Sequence, residues 1–230
     1  MGGMHEVLLM DAIVSPEVVP HFVSYGILSS VILIVIAFII RGSLQLIPKG
    51  FQNFIEVIMQ LILSLAEDNI GQKWGRYFFP FLCTIFIYIL VSNLMGLVPG
   101  FTAATANVNT NAAMAVPVFF MTHIYGVRIH GFHYINHFLG PVRSLPALPL
   151  MILMFIVEGI GHIARPLTLT VRLFGNMVAK HILLLVLAGL APLLIPCLIL
   201  GLGLLVCIVQ AFVFVLLSTL YFAGAVEEAH

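Results

Sequence analysis

The sequence predicts an all-α membrane protein with about five membrane helices plus a surface amphipathic helix, the last two membrane helices forming a long hairpin. Three observations predict it. Of 230 residues, 62% are hydrophobic and only 8% are charged, where an average soluble protein has about 25% charged residues. So few charges could not cover a soluble domain of this size. Apolar runs recur at about the 20 residues needed to cross roughly 30 Å of hydrocarbon. Lys/Arg and Asp/Glu balance at nine each, for a net charge of zero. Such a chain has no field to attract nucleic acid, and its apolarity excludes disorder.

The elements follow in order as one integral membrane domain over 1–230. Residues 1–21 form an outer tail with Glu6, Asp11 and Glu17 but no Lys or Arg. A cleavable signal peptide would begin with a basic segment, so the first span, 22–40, is expected to be retained. In the connector 41–77, Phe51, Phe54, Ile55, Ile58, Leu61, Ile62 and Leu65 recur at helical spacing, with Gln52, Glu56, Gln60 and Glu67 on other faces. This reads as an amphipathic helix, lying at the membrane surface or packed on the bundle. The next spans are 78–98, bounded by Arg76 and Pro99-Gly100, and 108–127. Two longer apolar runs, 147–189 and 193–225, are separated by the turn-forming segment Gly-Leu-Ala-Pro-Leu-Leu-Ile-Pro at 189–196. The first run would measure about 65 Å as a helix, twice the hydrocarbon thickness. Either it tilts steeply, or it is two spans joined near Arg165-Pro166, which would make six spans and put the C-terminus outside.

Loop charge sets orientation, since Lys and Arg favour the cytoplasmic side. Arg41, Lys49, Lys73 and Arg76 lie in the 41–77 connector and Arg128 and Arg143 in 128–144, whereas the N-terminal tail and 99–107 hold none. With five spans the N-terminus is outside and the C-terminus inside. The remaining basic residues, Arg165, Arg172 and Lys180, fall inside the fourth apolar run with Glu158, His162, Asn176 and His181. A charge at the bilayer centre costs at least about 2.5–3.5 kcal/mol, so such groups face protein or water and mark ion paths. At 100° per residue, with Arg172 as zero, Arg165, Glu158, Asn176, His162 and Lys180 all fall within about 80°, and His181 at about 180°. Gln210 is the only long polar side chain of the last run. An antiparallel hairpin folded at residue 191 puts Arg172 and Gln210 at one depth, where the Gln210 carbonyl could accept from the guanidinium. Gly201 and Gly203 lie near the depth of His181 and leave room beside it.

Several residues have plainer readings. Arg165 and Lys180 could snorkel to opposite interfaces, Glu158 could merely pair with Arg165, His162 could be a packing residue, and Gln210 could be interhelical glue. His123, His130, His133 and His137 resemble a metal cluster but read as a solvated loop around Arg128. Cys83, Cys197 and Cys207 lie in apolar runs without a CxxC, so neither a metal site nor a disulfide framework is expected. Arg172 has no such explanation.

The run Arg165-Pro-Leu-Thr-Leu-Thr-Val-Arg-Leu-Phe-Gly-Asn-Met177 resembles the signature of subunit a of F-type ATP synthases, the membrane stator facing the rotating c-ring. Asn93-Leu-Met-Gly-Leu-Val-Pro99 is similar to the end of that family's second span, Gln210-Ala-Phe to its final-helix motif, and the tail Glu227-Glu228-Ala-His230 to bacterial members. The resemblance implies a non-catalytic, proton-translocating subunit of the bacterial inner membrane, with c-ring proteolipids and subunit b of the peripheral stalk as partners and no cofactor. It implies that Arg172 opposes the ion-carrying carboxylate of subunit c, with Asn176 and Gln210 as polar neighbours. Glu158 is implied near the cytoplasmic half-channel and His181 in the half-channel open to the outside. Gly203 stands where some members place a second ionisable group. The last two helices are implied to lie steeply tilted, which favours a single helix over 147–189. The competing reading is a stand-alone secondary transporter or ion channel with a buried Arg–Glu–His relay, but no inverted repeat supports it. A membrane metalloenzyme lacks HExxH-type spacing.

Overall fold

A computed structural model describes residues 20–42, 44–45, 47–98, 100–131, 148–188 and 194–226. Among them are six α-helices: α1 (His21–Gly42), α2 (Phe51–Ile70), α3 (Gln72–Met95), α4 (Val108–His130), α5 (Leu148–Ala188) and α6 (Leu194–Val226). A 3-10 turn at Ala104–Ala106 lies between α3 and α4. All but α2 are long and apolar enough to cross a membrane, which makes five candidate spans. The outer tail, the centre of the 189–196 turn, His133, His137, Arg143 and the C-terminal Glu-Glu-Ala-His lie outside the described residues.

The long apolar run is one helix. α5 continues through Pro166 for 41 residues, about 60 Å, so the version with two spans joined at Arg165-Pro166 is not adopted. Proline removes the backbone bond to the carbonyl four residues earlier. Side-chain bonds gather on the weakened turn: Thr168 Oγ1 donates to the Arg165 carbonyl (2.9 Å) and Thr170 Oγ1 to that of Pro166 (2.8 Å).

α2 is amphipathic, and one face docks on the bundle. Ile62 and Ala66 are fully buried against α3 and α6, with Ile58, Leu65 and Ile70 beside them, while Phe51, Phe54, Val57 and Leu61 stay exposed. The chain reverses at Gly71, whose φ of 90° suits glycine. It then packs α3 so closely on α2 that a Cβ on Gly75 would lie 2.8 Å from the Ala66 carbonyl. Arg76 Nε donates to Glu67 Oε1 at this end (2.6 Å).

The core runs between α3, α4, α5 and α6. Phe78 stacks on Phe222 with ring centres 4.4 Å apart and meets Tyr125 edge-on at 4.9 Å. Leu82, Phe86 and Ile89 of α3, Val118 of α4, Leu169 and Leu173 of α5, and Phe214 and Val215 of α6 fill the rest. A polar knot closes the far end: Thr105 Oγ1 donates to Asn93 Oδ1 (2.6 Å), Asn111 Nδ2 to the Thr105 carbonyl (2.8 Å), and Cys207 Sγ to the Asn93 carbonyl (3.3 Å). Asn93 of the Asn-Leu-Met-Gly segment thus ties α3 to the 3-10 turn and to α6. α1 contributes little burial and presents Ile27, Val31, Ile34, Phe38 and Ile39 outward.

Candidate functional site

α5 buries Leu169, Leu173 and Met177 and turns Arg172 the other way. Arg172 is exposed, and among the described residues no hydrogen bond or ion pair engages its guanidinium. Exposed apolar side chains elsewhere on the two helices include Ile182 and Val186 of α5 and Leu202, Leu205, Ile208 and Val209 of α6. A permanent cation is therefore presented, exposed, near the middle of a membrane helix. Asn176 is exposed beside it. Its Nδ2 donates to Gln210 Oε1 at 2.6 Å, and Gln210 is only 4% exposed.

That bond identifies the partner of Gln210. Its carbonyl accepts from Asn176, one helical turn beyond Arg172, rather than from the guanidinium. The space at Gly203 is also used differently from the sequence expectation. A Cβ there would lie 3.2 Å from Lys180 Cδ and 2.9 Å from Leu97 Cδ2, so Lys180, not His181, lies over the glycine. The Lys180 Nζ is buried and has no hydrogen-bond partner among the described residues. Asn176, Lys180 and Gly203 line a cleft of about 320 Å³ between α5 and α6, with Ala179, Leu183 and Leu202. His181 is partly buried and does not line it.

The other end of α5 carries a second polar group. Glu158 Oε1 lies 3.3 Å from His162 Nε2 and 3.7 Å from Arg165 Nη2. The Arg165 guanidinium lies 5.2 Å above the Tyr221 ring of α6. His162 is buried, and its ring meets that of His123 at 4.9 Å. The six polar groups that the helical wheel puts on one face thus divide: Arg172 and Asn176 face outward, while His162 is enclosed by α4. His123 and His130 belong to α4, not to a loop. His123 and Tyr221 were not legible as members of this group; the one available signal was the pairing of a late α4 histidine with an early α5 histidine. No set of three His, Cys, Asp or Glu side chains converges to hold a metal among the described residues.

The family model of the ATP synthase A chain matches residues 23–223. ATP synthase subunit a of Trichlorobacter lovleyi is 48% identical over 200 residues, which are 87% of this chain and 84% of the relative. The subunit a of Geobacter sulfurreducens is 46% identical over 208 residues (90% and 88%). Subunit a 1 of Pelobacter propionicus is 43% identical over 222 residues (96% and 94%). With the match reaching into all five apolar helices, this chain belongs to the ATP synthase A chain family.

Proposed function

We propose that the chain is the proton-translocating stator subunit of a rotary ATP synthase of the bacterial inner membrane, with its N-terminus outside and C-terminus inside. One observation carries the reading: Arg172 is exposed near the middle of α5, and no side chain among the described residues pairs with it. The partner that fits is a helix bearing a carboxylate at mid-depth, as on a c-ring proteolipid. A self-contained transporter would turn its charged groups toward an interior site, which Arg172 does not do.

The chemistry follows from the fixed charge. Arginine stays protonated at any working pH. Beside it a carboxyl group favours its ionised form and gives up its proton; away from it, against lipid, the carboxyl is stable only when neutral. Each ring carboxyl therefore releases a proton on one side of Arg172 and takes one on the other. The Glu158 end supplies the inner half-channel. The Asn176–Lys180 cleft and His181 supply the outer one, while subunit b holds the stator in place. The guanidinium also bars a cation from passing directly between the two. A proton crossing the potential is worth about 2.3 kcal/mol per 100 mV, and a leak at this point would dissipate it.

The test is Arg172→Ala in the complete complex, reconstituted into vesicles. Assembly is retained and ATP-driven proton pumping is abolished. Normal pumping, or purification of the chain without a small two-helix proteolipid, would overturn the reading.

A further inference from the structure

We propose that His123 and His162, together with Glu158, form a one-proton holding pair that passes protons between the Arg172 region and the inner water. The inference rests on the stator reading and deepens it by assigning residues to the inner path.

The geometry comes from three helices. His162 is 6% exposed, on the turn of α5 that follows Glu158, with Nε2 3.3 Å from the carboxylate. The His123 ring of α4 crosses it at 71°, with ring centres 4.9 Å apart. His123 Nδ1 lies 2.9 Å from the Phe119 carbonyl. A carbonyl only accepts, so Nδ1 carries the hydrogen and Nε2 is the basic atom of the neutral ring. A crevice of about 10 Å³ adjoins both imidazoles, Arg165, Thr122 and Tyr221, which is room for about one water molecule. Among the described residues, the titratable and charged groups beside the pair and its crevice are Glu158 and Arg165 on α5 and, across Arg165, Tyr221 on α6; the rest of the crevice lining is apolar or a threonine hydroxyl.

The charges determine the capacity. One carboxylate, Glu158, lies between His162 and Arg165, so a proton held by the pair sits beside a negative charge and leaves the group with a single net positive charge. Two imidazolium rings at this separation beside a guanidinium repel, so a second proton is not held. Imidazole exchanges protons near neutral pH, and the Glu158 carboxylate lies 3.3 Å from His162 Nε2. His162 precedes Arg172 by about 15 Å along the helix and Glu158 by about 21 Å. The pair therefore stands between the stator cation and the inner end of α5. In ATP-driven pumping it binds a proton from the inner water at a ring nitrogen and surrenders it toward the ring carboxylate, returning to neutral. In synthesis the same proton moves the other way.

The test uses the complete complex in vesicles, with His162→Gln, His123→Gln and the double variant. Glutamine retains a hydrogen-bonding amide but does not titrate. ATP-driven pumping is followed as the pH of the ATP-bearing side is varied, with ATP hydrolysis and subunit content as checks on assembly. Each single variant is expected to match the parent near pH 6. At pH 8, where capture of scarce protons limits the rate, each is expected to fall about tenfold below it. This is less than a fully committed acid–base group contributes, because water bypasses the pair in part. The double variant is expected to be no worse than either single one. A loss that is equal at every pH, losses that multiply in the double variant, or profiles that superimpose on the parent overturn the proposal. Arg172→Ala runs in parallel: if it pumps normally the stator reading fails, whereas if it is inactive while the histidine variants keep the parent profile, only the relay fails.

Discussion

Removing the Asn176 amide should destabilise the α5–α6 hairpin through Gln210 rather than through Asn176 itself. Gln210 is 4% exposed, its Oε1 accepts a 2.6 Å bond from Asn176, and its Nε2 has no partner among the described residues. Asn176→Ala leaves the whole carboxamide unsatisfied. An unpaired buried polar group costs about 1–3 kcal/mol, and polar pairs between membrane helices average about 0.6 kcal/mol in mutant cycles; about 1 kcal/mol is the value expected here. Gln210→Leu removes both stranded atoms and fills similar space, so it costs less. The double variant, Asn176→Ala with Gln210→Leu, should be about as stable as Gln210→Leu alone. The assay is unfolding of the full chain in mixed detergent micelles, followed by helicity, for the parent and the three variants. Losses that simply add would refute the pairing, because they would mean that the two side chains do not meet.

Gly75→Leu places a side chain where a Cβ alone would lie 2.8 Å from the Ala66 backbone, and should cost about 1–3 kcal/mol in the same assay. Gly159→Ala, with nothing within 4 Å, should be neutral or slightly stabilising because alanine favours helix. Gly203→Leu should displace Lys180 from its buried position, raising acetylation of the Lys180 amine by a water-soluble reagent as mapped by mass spectrometry; unchanged labelling would place Lys180 elsewhere. In oriented vesicles, a cysteine at 230 should react only from the inside and one at 181 only from the outside, and the reverse pattern would invert the topology.

The spans were legible because apolar length and membrane thickness are commensurate, and α5 was legible as one helix because the resemblance outweighed the Pro166 breaker. The partner of Gln210 was not. Symmetric folding at residue 191 puts Arg172 and Gln210 at one depth, but which side chain reaches Gln210 depends on packing around Met177 and Cys207, which are both fully buried. A helical wheel describes one helix and is silent on its neighbours, so it grouped His162 with Arg172 although α4 encloses only the former. Likewise it left the volume above Gly203 unassigned, when the long stem of Lys180 fills it. His123 was missed because basic residues at 128 and 130 look like loop, yet the last turn of a membrane helix carries such residues readily, their charges reaching water. The docking of α2 followed from its apolar stripe; the choice between surface and bundle turned on Gly75 opposite Ala66, a contact between two small residues that hydropathy does not weigh.

The outward arginine also bears on biogenesis. Under the proposed stator function, a newly inserted chain without its ring exposes Arg172 to hydrocarbon at a cost of at least about 2.5–3.5 kcal/mol. The side chain must then draw in water or a lipid phosphate, which thins the bilayer locally. Docking a carboxylate-bearing helix removes both the penalty and the leak that such a water defect would open. The free subunit is thus a higher-energy species than the assembled one, in an energised membrane it is also a hazard, and a cell gains by inserting it only where a completed ring is waiting.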